Sequence, residues 1–201
     1  MSLEPVSQMP ILELIITSGF GEQAAQQGKD GLSSVEGLTS VYVGKTATDS
    51  SVGYWLLQWQ TSAARDAFTT SPAYATFQQH AGNSTPVLYD LSTQDVSDLE
   101  HVLAAPVQEF CVASAKSADV VDKFKETIKL ALEITKAIED TRGAVYSPGV
   151  GGEAKGLLLV GWASVEAHAS LYSRPEAQET IKKIIALDAM AAEAKDVLRV
   201  L

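Results

Sequence analysis

Two glutamates inside apolar segments are the side chains whose type and position best suit acid–base chemistry in this chain. Glu13 ends the segment Pro10-Ile-Leu-Glu13, and Glu109 ends the matching segment Pro106-Val-Gln-Glu109. Both segments are predicted to lie in β-strands. A carboxylate buried there would have a raised pKa and could act as a general acid or base. Alternatively, each strand opens at the surface and leaves its glutamate at the rim.

The three histidines differ in what their surroundings predict. His80 lies three residues after Phe77, near a predicted helix end, where it either caps the helix or faces a cleft. His168 aligns with Arg65 in the repeat described below. Because Arg65 is predicted to be solvated, His168 is expected to be solvated as well. His101 falls in an acidic linker and carries no functional expectation.

Metal chemistry is not indicated by the sequence. No pair of histidines, cysteines or carboxylates shows the spacing of metal ligands, so no metal and no other cofactor is expected. Cys111 lies in an apolar strand without a neighbouring base and is predicted to be an inert core residue. The glycine-rich segment 149–152 lacks the strand and helix context of a phosphate loop, so it is interpreted as a turn.

These residues belong to a repeated pattern. Gly53-Tyr-Trp-Leu-Leu-Gln-Trp59 is matched by Gly156-Leu-Leu-Leu-Val-Gly-Trp162, and Pro72 is matched by Pro175. The matched glycines, final tryptophans and prolines share one offset of 103 residues (156 − 53, 162 − 59 and 175 − 72). Val41-Tyr42 and Val145-Tyr146 add a further match. One duplicated module explains the pattern, so the repeat is the first guide to the fold.

Each repeat predicts the element order β-α-β-β-α-β. Apolar and β-branched runs predict the strands. The pair Ser71-Pro72 is expected to restart the second helix, because serine caps a helix N-terminus and proline suits the first helical position. Gly28 and Gly31 are expected to interrupt the first helix of repeat 1. Repeat 2 has instead a long amphipathic helix over about 119–139.

The two predicted modules span residues 1–91 and 106–201, and the acidic linker 92–105 joins them. A β-α-β-β-α-β module makes a four-stranded antiparallel sheet with both helices on one face. Strand 53–59 carries apolar side chains on both of its faces, so the face of the sheet that has no helices also needs burial. The predicted fold class is therefore α+β, with two fused ferredoxin-like modules forming an intrachain pseudo-dimeric α+β barrel. A further homodimer is slightly favoured over a monomer.

Composition excludes several classes of partner. The net charge is −10, and residues 1–105 carry 3 basic and 11 acidic groups, a balance of −8. Nucleic-acid binding needs a cationic footprint, and an acidic chain is repelled by anionic lipid, so neither partner is expected. The sequence shows no signal-peptide pattern and no long apolar stretch. The lone Cys111 fits a reducing compartment, which predicts a cytoplasmic protein.

The pattern resembles the dimeric α+β barrel superfamily, and within it the antibiotic-biosynthesis-monooxygenase type in a tandem-domain version of the kind found in fungi. The residues that carry the resemblance are Trp59 followed by Phe68-x-x-Ser71-Pro72-x-Tyr74-x-x-Phe77, and Trp162 followed by Leu171-x-x-Arg174-Pro175. The resemblance covers nearly the whole chain as a pattern. Family members include cofactor-independent oxygenases, polyketide cyclases, haem-degrading enzymes and stress proteins without known catalysis.

The resemblance implies a small-molecule protein. Family enzymes often carry a histidine on the second helix, at positions held here by Phe68 or Tyr74 and by Leu171 or Ala177, so haem degradation is disfavoured. The leading hypothesis is that the chain binds a hydrophobic aromatic or polyketide-like molecule and oxidises, cyclises or rearranges it without a cofactor. The rival hypothesis is a non-catalytic stress-type or structural barrel whose aromatic residues are core.

The site is predicted in repeat 1, because a glycine-broken helix leaves room where a long apolar helix fills it. Strand alternation points Trp55 and Trp59 the same way. The candidate catalytic residues are Glu13, His80 and Glu109. The expected ligand-binding residues are aromatic, and they are Tyr42, Trp55, Trp59, Phe68, Tyr74 and Phe77.

Overall fold

The computed structural model describes residues 8–82, 84–92 and 96–201. The first seven residues, where no signal peptide is predicted, lie outside this part of the chain, as do residue 83 and residues 93–95 of the predicted linker. The chain divides into two compact units. The first spans Met1–Thr93 with Leu198–Leu201, and the second spans Gln94–Val197. That these units are fused copies closing one barrel stays a prediction.

The first unit combines a four-stranded antiparallel sheet with helices. Its elements, in order, are β1 (Ile11–Ser18), α1 (Glu22–Gly31), β2 (Leu38–Thr46), β3 (Val52–Trp59), α2 (Ser62–Thr69), α3 (Pro72–Ala81) and β4 (Val87–Asp90). The strand order is β4-β1-β3-β2, and each neighbouring pair is antiparallel. Glu13 pairs with Leu57 across β1 and β3, so it shares a sheet face with Trp55 and Trp59.

The second unit repeats this order after one preceding helix. Its helices and strands are α4 (Val96–Leu103), β5 (Val107–Ala115), α5 (Val121–Lys136), β6 (Thr141–Gly149), β7 (Gly152–Trp162), α6 (Val165–Ser170), α7 (Pro175–Leu187) and β8 (Met190–Arg199). The strand order is β8-β5-β7-β6, with β7 antiparallel to both neighbours. The predicted α+β class with antiparallel strands is therefore confirmed. Among the described residues, no helix has the length and hydropathy needed to cross a membrane.

Side-chain caps start the helices where the sequence indicates. The Thr61 hydroxyl accepts a hydrogen bond from the Ala64 N–H, and the Ser71 hydroxyl accepts one from the Tyr74 N–H. Ser164 caps α6 in the same way through the Ala167 N–H. Each cap satisfies a backbone donor that has no partner inside its helix. The predicted helix restart at Pro72 is confirmed, and α7 begins in the same way at the matched Pro175.

The first helix departs from the prediction, because α1 runs unbroken from Glu22 to Gly31. Gly28 is buried in it, and a Cβ atom there would lie 2.9 Å from Cη2 of Trp55 and 3.0 Å from Cβ of His80. The glycine therefore brings α1 close to the sheet and to α3, so the expectation that it interrupts the helix is wrong. A Cβ at Gly31 would meet nothing within 4 Å.

The tyrosines matched in the repeat do not occupy equivalent positions. Tyr42 pairs with Leu56, whereas Tyr146 pairs with Leu158. Tyr146 contacts Phe124 of α5, with ring centroids 6.4 Å apart. Irregular pairing near the start of β2 and of β6 breaks the simple register, so alignment of the letters Val-Tyr does not preserve the sheet face.

The last strand begins at Met190, well before its first β-branched residue, Val197. Its first six residues, Met190-Ala-Ala-Glu-Ala-Lys, contain no β-branched side chain and are largely exposed. Pairing with β5 forms the strand here, and the composition of these six residues does not predict a strand.

Substituting the two glycines of α1 separates close packing from helix propensity. We expect Gly28→Ala to destabilise the protein by about 1–3 kcal/mol, because the added methyl group overlaps Trp55 and His80. Gly31→Ala should be neutral or stabilising by up to roughly 1 kcal/mol, since alanine favours a helix. Urea unfolding of both variants measures the difference. Equal effects would contradict the close-packing role of Gly28.

Candidate functional site

An aromatic cluster lies between β3 and the helices of the first unit. Trp55 packs edge-on against Phe77 with ring centroids 5.1 Å apart, and Trp59 lies 5.3 Å from Phe68. Tyr74 joins the cluster at 5.4 Å from Phe68. Five of the six predicted ligand-binding residues are thus brought together. Four of them are at most 5% exposed, so the cluster belongs to the packed core of the first unit.

The remaining predicted residue, Tyr42, is not part of this cluster. It pairs with Leu56, while Trp55 pairs with the adjacent Val43, so Tyr42 points to the opposite face of the sheet. The guanidinium of Arg199 lies 6.0 Å from the centre of its ring. Burial raises the pKa of Tyr42 strongly, and the positive charge of Arg199 offsets only part of that rise.

An open groove borders α2 on the side facing the loop after α1. It has a volume of about 660 Å³. Three alanines and Phe68 of α2 form one wall, and Gly31 to Gly37 contribute the other. The lining residues are Gly31, Ser34, Val35, Glu36, Gly37, Gln60, Thr61, Ala63, Ala64, Ala67, Phe68, Ser71 and Ala73. Small side chains on α2 leave this space open.

A smaller cavity of about 190 Å³ adjoins the groove and shares Gly31 and Ala73 with it. His80 and Phe77 line this cavity. The structure therefore places His80 beside a cavity, in agreement with one of its two sequence interpretations. Whether His80 acts on a ligand stays a prediction.

Glu13 is held by two partners in the first unit. The Trp59 Nε1–H donates to its Oε2 at 2.9 Å, and the Arg65 guanidinium donates to its Oε1 at 3.1 and 2.9 Å. Glu13 is 1% exposed, so the alternative that it lies at the rim is wrong. Burial alone would lower the pKa of Arg65, but the hydrogen bonds and charge of Glu13 raise it overall. Both carboxylate oxygens of Glu13 are therefore engaged in hydrogen bonds.

Glu109 has an equivalent tryptophan and a different cation in the second unit. Trp162 Nε1–H donates to Glu109 Oε2 at 3.1 Å. His168 stacks on Trp162 with ring centroids 4.9 Å apart, and its Nε2 lies 3.3 Å from Glu109 Oε2. On the other side of the ring, Nδ1 lies 2.7 Å from Asp196 Oδ1. A histidine thus stands between two carboxylates.

Burial and neighbouring charge shift the proton affinities of this cluster. Burial raises the pKa of Glu109, and the charge of His168 and the Trp162 hydrogen bond counteract part of the rise. Burial would lower the pKa of His168, but the hydrogen bond to Asp196 and the charges of Glu109 and Asp196 raise it overall. Burial, followed by the charge of Glu109, raises the pKa of the Cys111 thiol to about 12. This cysteine is therefore not a thiolate nucleophile at neutral pH.

The expectation that Arg65 and His168 are solvated is wrong. Their side chains are 17% and 13% exposed, and each is turned toward the glutamate of its own unit. The repeat contained a signal for these pairs, because the aligned basic residues accompany glutamates that are aligned in the first strands. Asp196 had no such signal, since it lies in a weakly patterned strand.

The Glu109, His168 and Asp196 side chains do not form a metal site. The two carboxylates contact opposite nitrogens of the imidazole, so their oxygens do not converge on one point. Within the described residues, no group of three or more histidines, cysteines, aspartates or glutamates is arranged to hold a metal ion.

Comparison with known structures places the chain in a fold class. Solved structures with the same fold over nearly the whole chain include monooxygenase-type and anthrone oxidase-like proteins. The likeness shows that the chain shares the fold of these proteins. No family model and no curated protein matches the sequence.

Three of these structures illustrate the likeness. A monooxygenase candidate from Fusobacterium nucleatum has a TM-score of 0.66 at 11% identity, covering 96% of this chain and 93% of its own. An anthrone oxidase-like protein has a TM-score of 0.65 at 12% identity, with coverages of 97% and 92%. A monooxygenase candidate from Lactobacillus acidophilus has a TM-score of 0.59 at 13% identity, with coverages of 95% and 94%. Identities this low establish the fold alone.

The buried Glu13–Arg65 pair predicts a large effect when one partner is removed. We expect Arg65→Met to destabilise the protein by roughly 3–5 kcal/mol, because it leaves the Glu13 carboxylate buried without its cation. The double variant Glu13→Gln with Arg65→Met should recover much of that loss, since no charge is then buried. Urea unfolding measures both. Asp66→Asn, at the exposed partner of Arg65, is the control and should change stability by less than about 1 kcal/mol. A single-variant loss as small as that of the control would contradict the prediction.

The His168 cluster predicts a pH-dependent contribution to stability. A raised pKa means that the folded protein holds the His168 proton more tightly than the unfolded chain does. This contribution is therefore complete below the ordinary imidazole pKa of about 6.5 and is lost as the pH rises through the raised value. Thermal denaturation should show a larger deficit for His168→Gln at pH 6 than at pH 9. His101→Gln, on the exposed face of α4, should show no such trend. A deficit that grows with pH would contradict this assignment.

Proposed function

We propose that the protein binds a hydrophobic aromatic or polyketide-like small molecule in the groove beside α2. The groove itself is the observation that carries this proposal. Its volume of about 660 Å³ lies within the roughly 300–1,000 Å³ that is usual for small-molecule sites. Its lining is largely apolar, with a minority of polar groups that include Glu36, Gln60 and Thr61. Such a surface buries an aromatic body and orients its polar substituents.

The aromatic cluster supports an aromatic ligand in particular. Phe68 lines the groove, and behind it lie Trp59 and Tyr74 with centroid distances of 5.3 and 5.4 Å. A bound ring could add an edge-to-face contact to this existing set, a geometry that aromatic pairs favour. Packing against the other aromatic residues of the cluster keeps Phe68 in place, so binding would require little reorganisation.

We propose further that the bound molecule is oxidised, cyclised or rearranged without a metal or organic cofactor. The names of the monooxygenase-type and anthrone oxidase-like neighbours motivate this class of chemistry, which fold likeness alone does not establish. His80, in the adjoining cavity, is the candidate proton carrier of this unit. Glu13 would act by positioning Trp59 and Arg65, since both of its oxygens are engaged.

The two units are proposed to be copies of one duplicated module, as in a tandem-domain member of the superfamily. Each unit has the order β-α-β-β-α-β, and each buries a glutamate of its first strand against the tryptophan that ends its third strand. The rival function is a non-catalytic stress-type or structural protein. In that case the groove would be a surface irregularity that binds nothing specifically.

A binding experiment separates these functions. Anthrone, held under argon to prevent its spontaneous oxidation, is titrated into the protein by calorimetry with a panel of tricyclic phenols and ketones. We expect saturable binding, weakened at least tenfold by Ala67→Trp, which fills the groove. Ala75→Trp, at an exposed position of α3 outside the groove lining, is the matched control and should bind as the wild type does.

The outcome of the titration decides between the hypotheses. Failure of every panel member to bind would favour the structural rival, and equal loss in both tryptophan variants would place binding elsewhere. Admitting oxygen to the bound complex then tests catalysis separately. Oxygen uptake and product mass, compared with the Ala67→Trp variant, report whether binding leads to transformation.

A further inference from the structure

The second unit contains a proton-transfer arrangement that the groove proposal does not use. Asp196 Oδ1 lies 2.7 Å from His168 Nδ1, and an ionised aspartate can only accept a hydrogen bond. Nδ1 therefore carries a hydrogen, which leaves Nε2 as the nitrogen that exchanges protons. An acid that fixes the tautomer and orientation of a histidine is a recurrent way to prepare its second nitrogen for acid–base work.

The working nitrogen faces a second carboxylate without being locked to it. His168 Nε2 lies 3.3 Å from Glu109 Oε2, yet it is buried and has no aligned hydrogen bond among the described residues. Glu109 Oε2 is held in place by Trp162 Nε1–H, and Trp162 also supports the imidazole from its face. Position is thus fixed while one proton remains free to move between Nε2 and Oε2.

The first unit has the same arrangement of glutamate, tryptophan and basic residue, but in a form that cannot transfer protons. There the guanidinium of Arg65 grips Glu13 through two N–H groups, and an arginine stays protonated throughout the accessible pH range. Glu13 is 1% exposed, whereas the Glu109 and Asp196 side chains are 12% and 18% exposed. The titratable cluster is therefore also the less sealed of the two.

We propose that Glu109, His168 and Asp196 form an acid–base site of their own, which interconverts the keto and enol forms of a small ketone. In the forward step, His168 Nε2–H donates its proton to the carbonyl oxygen, and Glu109 takes a proton from the neighbouring carbon. The electron pair of that C–H bond forms the C=C bond, and the former C=O π pair bonds the proton. Atoms and electrons balance without any co-reactant.

The close approach of the two side chains resets the site. After the forward step, Glu109 holds the proton and His168 lacks one, so transfer from Oε2 to Nε2 across the 3.3 Å contact restores the starting state. A ketone suits this geometry because its oxygen and its α-hydrogen lie on adjacent carbons and can meet two groups that are in contact with each other.

The neighbouring titratable groups Cys111 and Tyr172 agree with that assignment. Cys111, on the same face of β5 as Glu109, stays protonated near neutral pH because burial raises the pKa of its thiol to about 12. The ring of Tyr172 lies 6.2 Å from that of His168 and is 63% exposed, so this side of the cluster borders solvent. Burial, and then the charges of Glu109, Cys111 and Asp196, raise the pKa of Tyr172. Tyr172 therefore remains a neutral hydroxyl on the solvent side of the cluster.

The test is hydrogen–deuterium exchange at the α-carbon of 1-tetralone, an aryl ketone whose uncatalysed exchange is slow near neutral pH. Proton NMR in D₂O follows the exchange with full-length protein. We expect the wild type to exceed buffer at least tenfold, and Glu109→Gln to fall to the buffer rate. The same Glu109→Gln variant should lower the pKa of His168 in an NMR titration, because the carboxylate that raises it is gone.

The His168→Arg variant is included because a variant can also lose activity simply by failing to fold. It copies the Glu13–Arg65 arrangement that the first unit already accommodates, but it removes the proton-exchanging nitrogen. We expect it to melt like the wild type and to lose exchange activity. His101→Gln is the matched control and should retain the wild-type rate. A wild type no faster than buffer, or a folded His168→Arg variant with full activity, overturns the proposal. Neither result depends on whether anthrone binds the groove.

Discussion

The structure depends on the burial of a glutamate in the first strand of each unit. Removing a carboxylate from water costs several kcal/mol, and only a partner of opposite charge with well-directed hydrogen bonds can offset that cost. Each unit meets the requirement with a tryptophan at the end of its third strand and a basic residue on the helix that follows. The choice of basic residue then decides the character of the site. Arg65 produces a permanent ion pair, while His168 produces a cluster whose charge depends on protons.

Local sequence signals predict much of the fold, and the predictions that fail do so for physical reasons. Apolar runs and the Ser71-Pro72 restart predict strands and helices correctly, because each depends on a few adjacent residues. The prediction that Gly28 interrupts α1 is wrong, because the close approach to Trp55 that glycine allows outweighs its low helix propensity. Tyr42 lies outside the predicted aromatic cluster, because strand pairing decides on which face of the sheet its side chain lies. The start of β8 carries no composition signal at all.

The candidate site was predictable only in part for a related reason. Buried acids within strands could be recognised one at a time, and aromatic alternation predicted the cluster around Phe68. The partnership of Glu109 with His168 and Asp196 requires three elements of the second unit to meet, and no local pattern records that meeting. The open groove likewise arises from the alanines of α2, whose importance lies in the volume that they leave empty.

The stacking of Trp162 on His168 has a consequence for spectroscopy. A protonated imidazole in contact with an indole quenches its emission, whereas a neutral one does so weakly. Trp162 therefore serves as an internal optical indicator of the charge on His168, at a centroid distance of 4.9 Å. Trp59 donates a hydrogen bond to Glu13, whose other partner is an arginine of constant charge, so Trp59 contributes a constant background. The cluster therefore carries its own fluorescence reporter and needs no added dye.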